Sequence, residues 1–222
     1  MPFVKIGGWS SASQMEDCFI KVGNGYLAFS KAMENRMKTR ILYVHGKRQG
    51  PADTISRTAT TLRKILPPSK FKIFAPSFSE DPDEALQFLH GYIRENDIDL
   101  IIGSSLGAFI TLQLREKTRI VINPCCDPAE EVTKRSEWPN DIVQKYRAQR
   151  ARLYEAIKEE DRINTYALFA TNDELFSFFD EYKQHYHQAL FMEDGHRISE
   201  ENIRHMLCPL IDLASRQIVK RR

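Results

Sequence analysis

From residue 40 onward, short apolar runs alternate with longer segments whose apolar positions recur at helical spacing. That is the pattern of strands and crossover helices in a mostly parallel α/β sheet with helices on both faces. The predicted strands are Ile41–His45, Phe71–Phe74, Leu100–Ile102, Ile120–Asn123, Tyr166–Ala170 and Ala189–Met192, and most stop at Gly, Pro, Asn or Asp. Between them, Ile55, Ala59, Leu62 and Leu66 mark one helix that halts at Pro67-Pro68. Leu86, Leu89 and Ile93 mark another that begins near Pro82. After Ser199, the positions Ile203, Met206 or Leu207, and Leu210 predict a closing helix, which Pro209 should kink or restart.

Two stretches fall outside this rhythm. Residues 1–39 form an N-terminal extension in which Phe19–Val22 and Tyr26–Phe29 flank Gly23-Asn24-Gly25. This reads as a hairpin that could add an antiparallel edge to the sheet. Residues 127–162 are rich in charge, with Trp138, Tyr146, Leu153, Tyr154 and Ile157 as the main apolar points, and predict an inserted helical cap. A chain of 222 residues can bury one sizeable core, so a single domain over 1–222 is the expectation.

Composition narrows the partners. Lys and Arg total 32 against 30 for Asp and Glu, a net +2 with the signs interleaved, so no nucleic-acid partner is implied. The terminal Lys220-Arg221-Arg222 reads as a solvated chain end. Four cysteines, two of them the neighbours Cys125 and Cys126, do not make a disulfide framework and read as reduced thiols of a cytoplasmic protein. The first ten residues lack the apolar stretch of a secretory signal, and no run approaches the roughly 18 apolar residues of a membrane span.

The candidate chemistry lies at the strand ends. Gly103-Ser104-Ser105-Leu106-Gly107 matches Gly-x-Ser-x-Gly, follows the strand Leu100–Ile102 and precedes the helical run Ala108–Leu114. Composition alone gives about 0.03 chance matches, before the strand and helix are required. A serine hydroxyl needs a base to take its proton, most often histidine. His196, in Glu193-Asp194-Gly195-His196, follows the last strand and precedes the last helix; the other histidines fall at strand ends or on predicted helices. The imidazole needs a carboxylate to orient it. Asp173 follows the strand Tyr166–Ala170, with Glu174 and Asp127 as competitors and a helix N-cap as its other reading. Ser104 is the competing nucleophile, but it occupies the first x of the motif. The amides of Leu106, after the serine, and of Lys47, after His45-Gly46, are candidates to hold an oxyanion. His45, Gly46, Cys125, Cys126 and, from the cap, Trp138 are candidate pocket residues.

The runs Leu42–Gly46, Gly103–Ala108, Val121–Pro124, Asn172-Asp173-Glu174 and Gly195-His196 together resemble the small YqiA/YcfP-like esterases of the α/β-hydrolase superfamily, over residues 40 to 213. The resemblance implies an α/β-hydrolase fold, a triad of Ser105, Asp173 and His196, and no metal or cofactor. It also implies cleavage of small carboxylic esters or acyl thioesters. A non-catalytic ligand- or partner-binding module on this fold, and acyl transfer by the same triad, are the alternatives. Lys47 and Arg48 depart from the family, where the position after His-Gly is often apolar. They read as solvated charges, or as contacts for an acyl group on an anionic carrier such as a coenzyme A thioester.

Overall fold

Strand residues of one parity face one layer of helices and those of the other parity face the opposite layer, so a two-residue period appears as two separate cores. The computed structural model describes residues 18–22, 25–29, 38–47, 56–134 and 137–221. Residues 1–10, Gly23, Asn24, Arg48, Ile55 and Arg222, all used above, lie outside the described residues. The chain divides into two units, residues 1–38 and 39–222. In the first, β1 (Cys18–Val22) pairs antiparallel with β2 (Gly25–Phe29), Val22 opposite Gly25. The pair is a two-stranded sheet.

The second unit runs β3 (Thr39–Val44), α1 (Arg57–Ile65), β4 (Phe71–Phe74), α2 (Pro82–Glu95), β5 (Leu100–Ser104), α3 (Leu106–Gln113), β6 (Thr118–Ile122), α4 (Pro128–Thr133), α5 (Asn140–Arg152) and α6 (Glu159–Ile163). It continues through β7 (Thr165–Ala170), α7 (Phe179–His185), β8 (Gln188–Met192), α8 (Glu200–Asn202), a π-helical stretch Ile203–Leu207, and α9 (Cys208–Arg221). All six strands expected from the apolar runs form. They pair in parallel in the order β4-β3-β5-β6-β7-β8.

Right-handed crossovers explain the layers. From β3 the chain steps one way, through α1 to β4; every later strand is added on the other side. Ala59 and Leu62 of α1 therefore pack with Ile41, Leu100, Ile102 and Ile120 on one face, joined by Leu207, Leu210 and Ile211. Leu89 and Ile93 of α2, Phe109 and Leu112 of α3, and Tyr182 of α7 pack with Leu42, Ile101, Val121 and Phe169 on the other. The winding reverses between β3 and β5, and the carboxyl ends of these two strands frame the crevice where open α/β sheets bind ligands.

The segment expected as a cap forms α4, α5 and α6, but most of it belongs to the sheet-covering layer. Tyr146 and Leu153 are each 1% exposed and pack into the same core as α2 and α3. Gln149 ties α5 to both helices, donating to Asp83 Oδ1 at 2.7 Å and accepting from Gln113 Nε2 at 3.1 Å. The effect of Pro209 is the expected one. The Cys208 amide reaches back to Ile203 in a π turn, and α9 starts there. The widened turn removes the clash between the proline ring and the preceding carbonyl. No helix among the described residues is long and apolar enough to cross a membrane.

Candidate active site

Ser105 sits between β5 and α3 with φ 53° and ψ −121°, a conformation that costs a residue with a Cβ on the order of 1–3 kcal/mol. The glycines on either side show why the bend closes. A Cβ at position 103 would lie 2.2 Å from Thr111 Oγ1 and 2.6 Å from the Gly107 carbonyl; one at position 107 would lie 2.3 Å from the carbonyls of Val44 and His45. The elbow is thus pressed against the end of β3. It is pinned by the Ser105 amide donating to Ile122 O at 2.9 Å and by its carbonyl accepting from the Cys125 amide at 3.2 Å.

The loop after β8 brings His196 to this serine. His196 Nε2 lies 2.9 Å from Ser105 Oγ, and Nδ1 lies 2.8 Å from Asp173 Oδ2. Asp173 Oδ1 accepts from the amides of Leu175 and Phe176 at 2.8 and 3.2 Å, so it orders its own turn as well as the imidazole. Burial raises the pKa of this carboxyl. The hydrogen bonds from His196, Leu175 and Phe176, with the charge on His196, outweigh burial and hold it below the ordinary aspartate value. An ionised carboxylate only accepts, so Nδ1 carries a proton, and it is in the neutral imidazole that Nε2 presents a lone pair to the serine hydroxyl. The His196 and Asp173 side chains are 9% and 4% exposed.

The competing acids lie elsewhere. Glu174 Oε2 accepts from the His196 backbone amide at 2.8 Å, not from its ring. Asp127 caps α4 by accepting from the Glu130 amide at 3.1 Å. Ser104 Oγ pairs with the Tyr43 hydroxyl at 2.8 Å.

A cavity of about 670 Å³ opens over Ser105. His45, Gly46, Lys47, Leu106 and Cys125 line it. His45 stacks on Phe78, ring centroids 4.3 Å apart, and its Nδ1 donates to Gly46 O at 2.8 Å. Gly46 lies close to the elbow, since a Cβ there would sit 3.1 Å from both the Ser104 carbonyl oxygen and Ser105 Cβ. Leu106 is the first residue of α3, so its amide has no carbonyl within the helix to donate to.

Cys126 and Trp138 differ from expectation and are not among the lining residues. Cys126 is wholly buried under α4 and α7, where desolvation pushes its thiol up to about 12. The Trp138 ring stacks on Tyr146 at 4.7 Å, and the Lys47 ammonium lies over it at 4.6 Å. The cause is the packing of α5 on the sheet face, which carries Trp138 with it. Burial lowers the Lys47 pKa, opposed by the charge of Glu80.

Several neighbours carried no expected role. Phe176 sets its ring edge-on to His196 at 4.9 Å. Asn123, with φ 44°, accepts from the Ala170 amide at 2.7 Å through Oδ1 and donates to His196 O at 2.9 Å through Nδ2. Its position at the end of an apolar strand was the available signal. Ser56, Arg57, Thr58, Glu131, Val132 and Arg197 also reach the cavity.

Comparison with known proteins agrees with this architecture. Est1E from Butyrivibrio proteoclasticus superposes with a TM-score of 0.58 at 11% identity, over 89% of this chain and 98% of that one. MGS-MChE2, an alpha/beta hydrolase from a sediment metagenome of the Mar Chica lagoon, Morocco, gives 0.53 at 13% identity, over 83% and 92%. The thioesterase domain from the curacin biosynthetic pathway gives 0.51 at 13%, over 90% and 99%. At such identities the likeness establishes the α/β-hydrolase fold. No curated protein matches the chain. The model of the uncharacterised protein family UPF0227 matches residues 40–215, nearly the span over which the motifs resemble the YqiA/YcfP-like proteins, and the chain belongs to that family.

Proposed function

We propose that the protein is a serine hydrolase that cleaves carboxylic esters or acyl thioesters through an acyl-serine intermediate. The observation that supports this reading is the continuous relay from Ser105 Oγ through His196 to Asp173, with links of 2.9 and 2.8 Å, at a strained elbow on the cavity floor. Ser105 attacks the acyl carbon as His196 Nε2 takes its proton, and Asp173 holds the Nδ1 tautomer and stabilises the imidazolium. The amides of Leu106 and Lys47 receive the oxyanion. His196 then protonates the leaving alcohol or thiol, and a water activated by the same imidazole releases the acid. The thioesterase domain among the structural neighbours fits this class of substrate.

Labelling with a fluorophosphonate tests the reading. Wild-type protein should label stoichiometrically and Ser105→Ala not at all. His196→Ala and Asp173→Asn should each slow labelling by a factor on the order of 10³–10⁴. A folded wild-type protein that fails to label would leave a binding module instead of an enzyme. Equal labelling of His196→Ala would remove His196 as the base.

A further inference from the structure

An open sheet has two edges, and the two in this fold are built differently. β4, at one edge, is guarded. Pro67-Pro68 precede it, Lys72 sets its ammonium over the Phe74 ring at 5.0 Å, and Arg63 reaches the Ile73 carbonyl at 3.4 Å. Prolines and cations of this kind hinder the approach of a further strand. β8, at the other edge, reads Gln188-Ala189-Leu190-Phe191-Met192 and carries neither charge nor proline. Leu190 and Phe191 are 47% and 51% exposed, whereas every residue of β7 beside them is buried. As neighbours on a strand, they present an apolar side chain on each face of the sheet.

The backbone groups left open on β8 follow from its pairing with β7. That pairing is parallel, and the Met192 carbonyl accepts the Thr171 amide at 2.9 Å, so Met192, Leu190 and Gln188 turn their backbone groups inward. The amides and carbonyls of Ala189 and Phe191 alternate with them and point away from the sheet. On that side β8 has no neighbouring strand among the described residues. The Glu193 carbonyl beyond them is taken by Asn202 Nδ2 at 3.0 Å, which keeps the open stretch short.

A second β8, running antiparallel about a two-fold axis at Leu190, matches this stretch. Ala189 then opposes Phe191 of the other copy, and each such pair exchanges both of its N–H···O bonds. The Phe191 ring lies across an alanine, which leaves it room, and on the other face Leu190 meets its own counterpart. Just outside the strand, the imidazole of His187, held on its own chain by Glu159 at 2.9 Å, comes opposite the Glu193 carboxylate of the other copy. No two like charges therefore oppose each other. The guarded edge at β4 lacks such a match, which favours a closed pair over an open chain of copies.

We propose that β8 is a dimer interface, at which two copies of the chain join edge to edge in antiparallel register with Leu190 on the axis. The pairing runs through residues 187–193 and is independent of the chemistry at Ser105.

Sedimentation equilibrium and oxidative cross-linking of the full chain test this. Wild type should sediment at twice the chain mass, and the dimer dissociation constant should rise by at least ~10-fold in Phe191→Lys and in Ala189→Pro. The proline removes only an outward amide and leaves the ladder to β7 in place, so the circular dichroism of that variant should match wild type. Leu190→Cys should form a disulfide-linked dimer under mild oxidation, above the wild-type background, because opposed residues on the axis lie within reach of a disulfide. Gln188→Cys should not, since its counterpart stands opposite Met192. A dimer that survives both edge substitutions, or equal cross-linking at positions 190 and 188, overturns the proposal. So does a wild type that stays monomeric at every concentration, which would give the edge to another segment of the chain or to an unlike partner.

Discussion

Asn123 is 3% exposed and joins all three loops of the candidate site. The residue before it, Ile122, accepts the Ser105 amide; Oδ1 holds the end of β7, three residues before Asp173; and Nδ2 holds the carbonyl of His196. Only a carboxamide offers an acceptor and a donor together at that size, and asparagine tolerates the left-handed backbone. Asn123→Ala should therefore slow fluorophosphonate labelling by ~10- to 100-fold through misplacement of the imidazole. Asn123→Asp should be slower still at neutral pH, since a carboxylate faces the His196 carbonyl. Labelling at the wild-type rate in both variants would remove the role.

The contrast with Ser105 is instructive. That residue was legible because Gly103, Gly107, the strand and the helix are its neighbours in sequence. The partners of Asn123 lie 47 and 73 residues away, and nothing local points to them.

Among the elements, the turn between β8 and α8 is braced by Asp194. Its Oδ1 accepts from the Gly195 amide at 3.0 Å, and its Oδ2 accepts from the Ser199 amide at 2.7 Å and from Asn202 Nδ2 at 3.0 Å. Burial raises the Asp194 pKa, but these bonds lower it further, so the folded value lies below the ordinary one. Such a group stabilises the fold fully above its unfolded pKa of about 3.9, and that contribution is lost as pH falls through the depressed folded value. Urea unfolding of wild type should accordingly weaken as pH drops below about 4, and Asp194→Asn should show a shallower decline over the same window. Parallel curves for the two proteins would show that Asp194 is not the group responsible.

Helix α5 teaches the converse lesson about elements. It lies within residues 127–162, which read as a cap because a charged stretch with few apolar points interrupts the strand rhythm. Tertiary contacts with α2 and α3 override that pattern and place Tyr146 in the core. Trp138→Ala should cost stability, by about 1–3 kcal/mol, and leave kcat/KM for a neutral ester within about two-fold, measured by thermal unfolding and steady-state kinetics. A large rise in KM would return Trp138 to the pocket.

For the molecule as a whole, the fold separates a chemical end from a structural one. Arg119, near the amino end of β6, has a side chain with no exposed surface. It donates to Leu112 O at 3.0 Å, to Thr165 Oγ1 at 2.7 Å and to Asp161 Oδ1 at 3.2 Å, and so ties α3, α6 and β7 together. Arg119→Met leaves Asp161 without its cation, and should cost about 3–5 kcal/mol in urea unfolding. Labelling of the folded fraction should proceed at the wild-type rate, because Ser105 stands at the opposite end of the strands. A stability within error of wild type, or a slowed labelling rate, would contradict this division.

The sequence by itself determined the six strands, the mostly parallel sheet with helices on both faces and the bend that presents Ser105. Each rests on local physics: a two-residue period, handed crossovers, and glycines flanking a strained turn. It also brought His196 and Asp173 into view, since both follow strands whose carboxyl ends converge in any sheet of this kind. Tertiary structure alone decided which carboxylate the imidazole meets, that Asn123 binds the loops together, and that α5 covers the sheet. Those outcomes depend on contacts between segments far apart in the chain, and local periodicity carries no record of them.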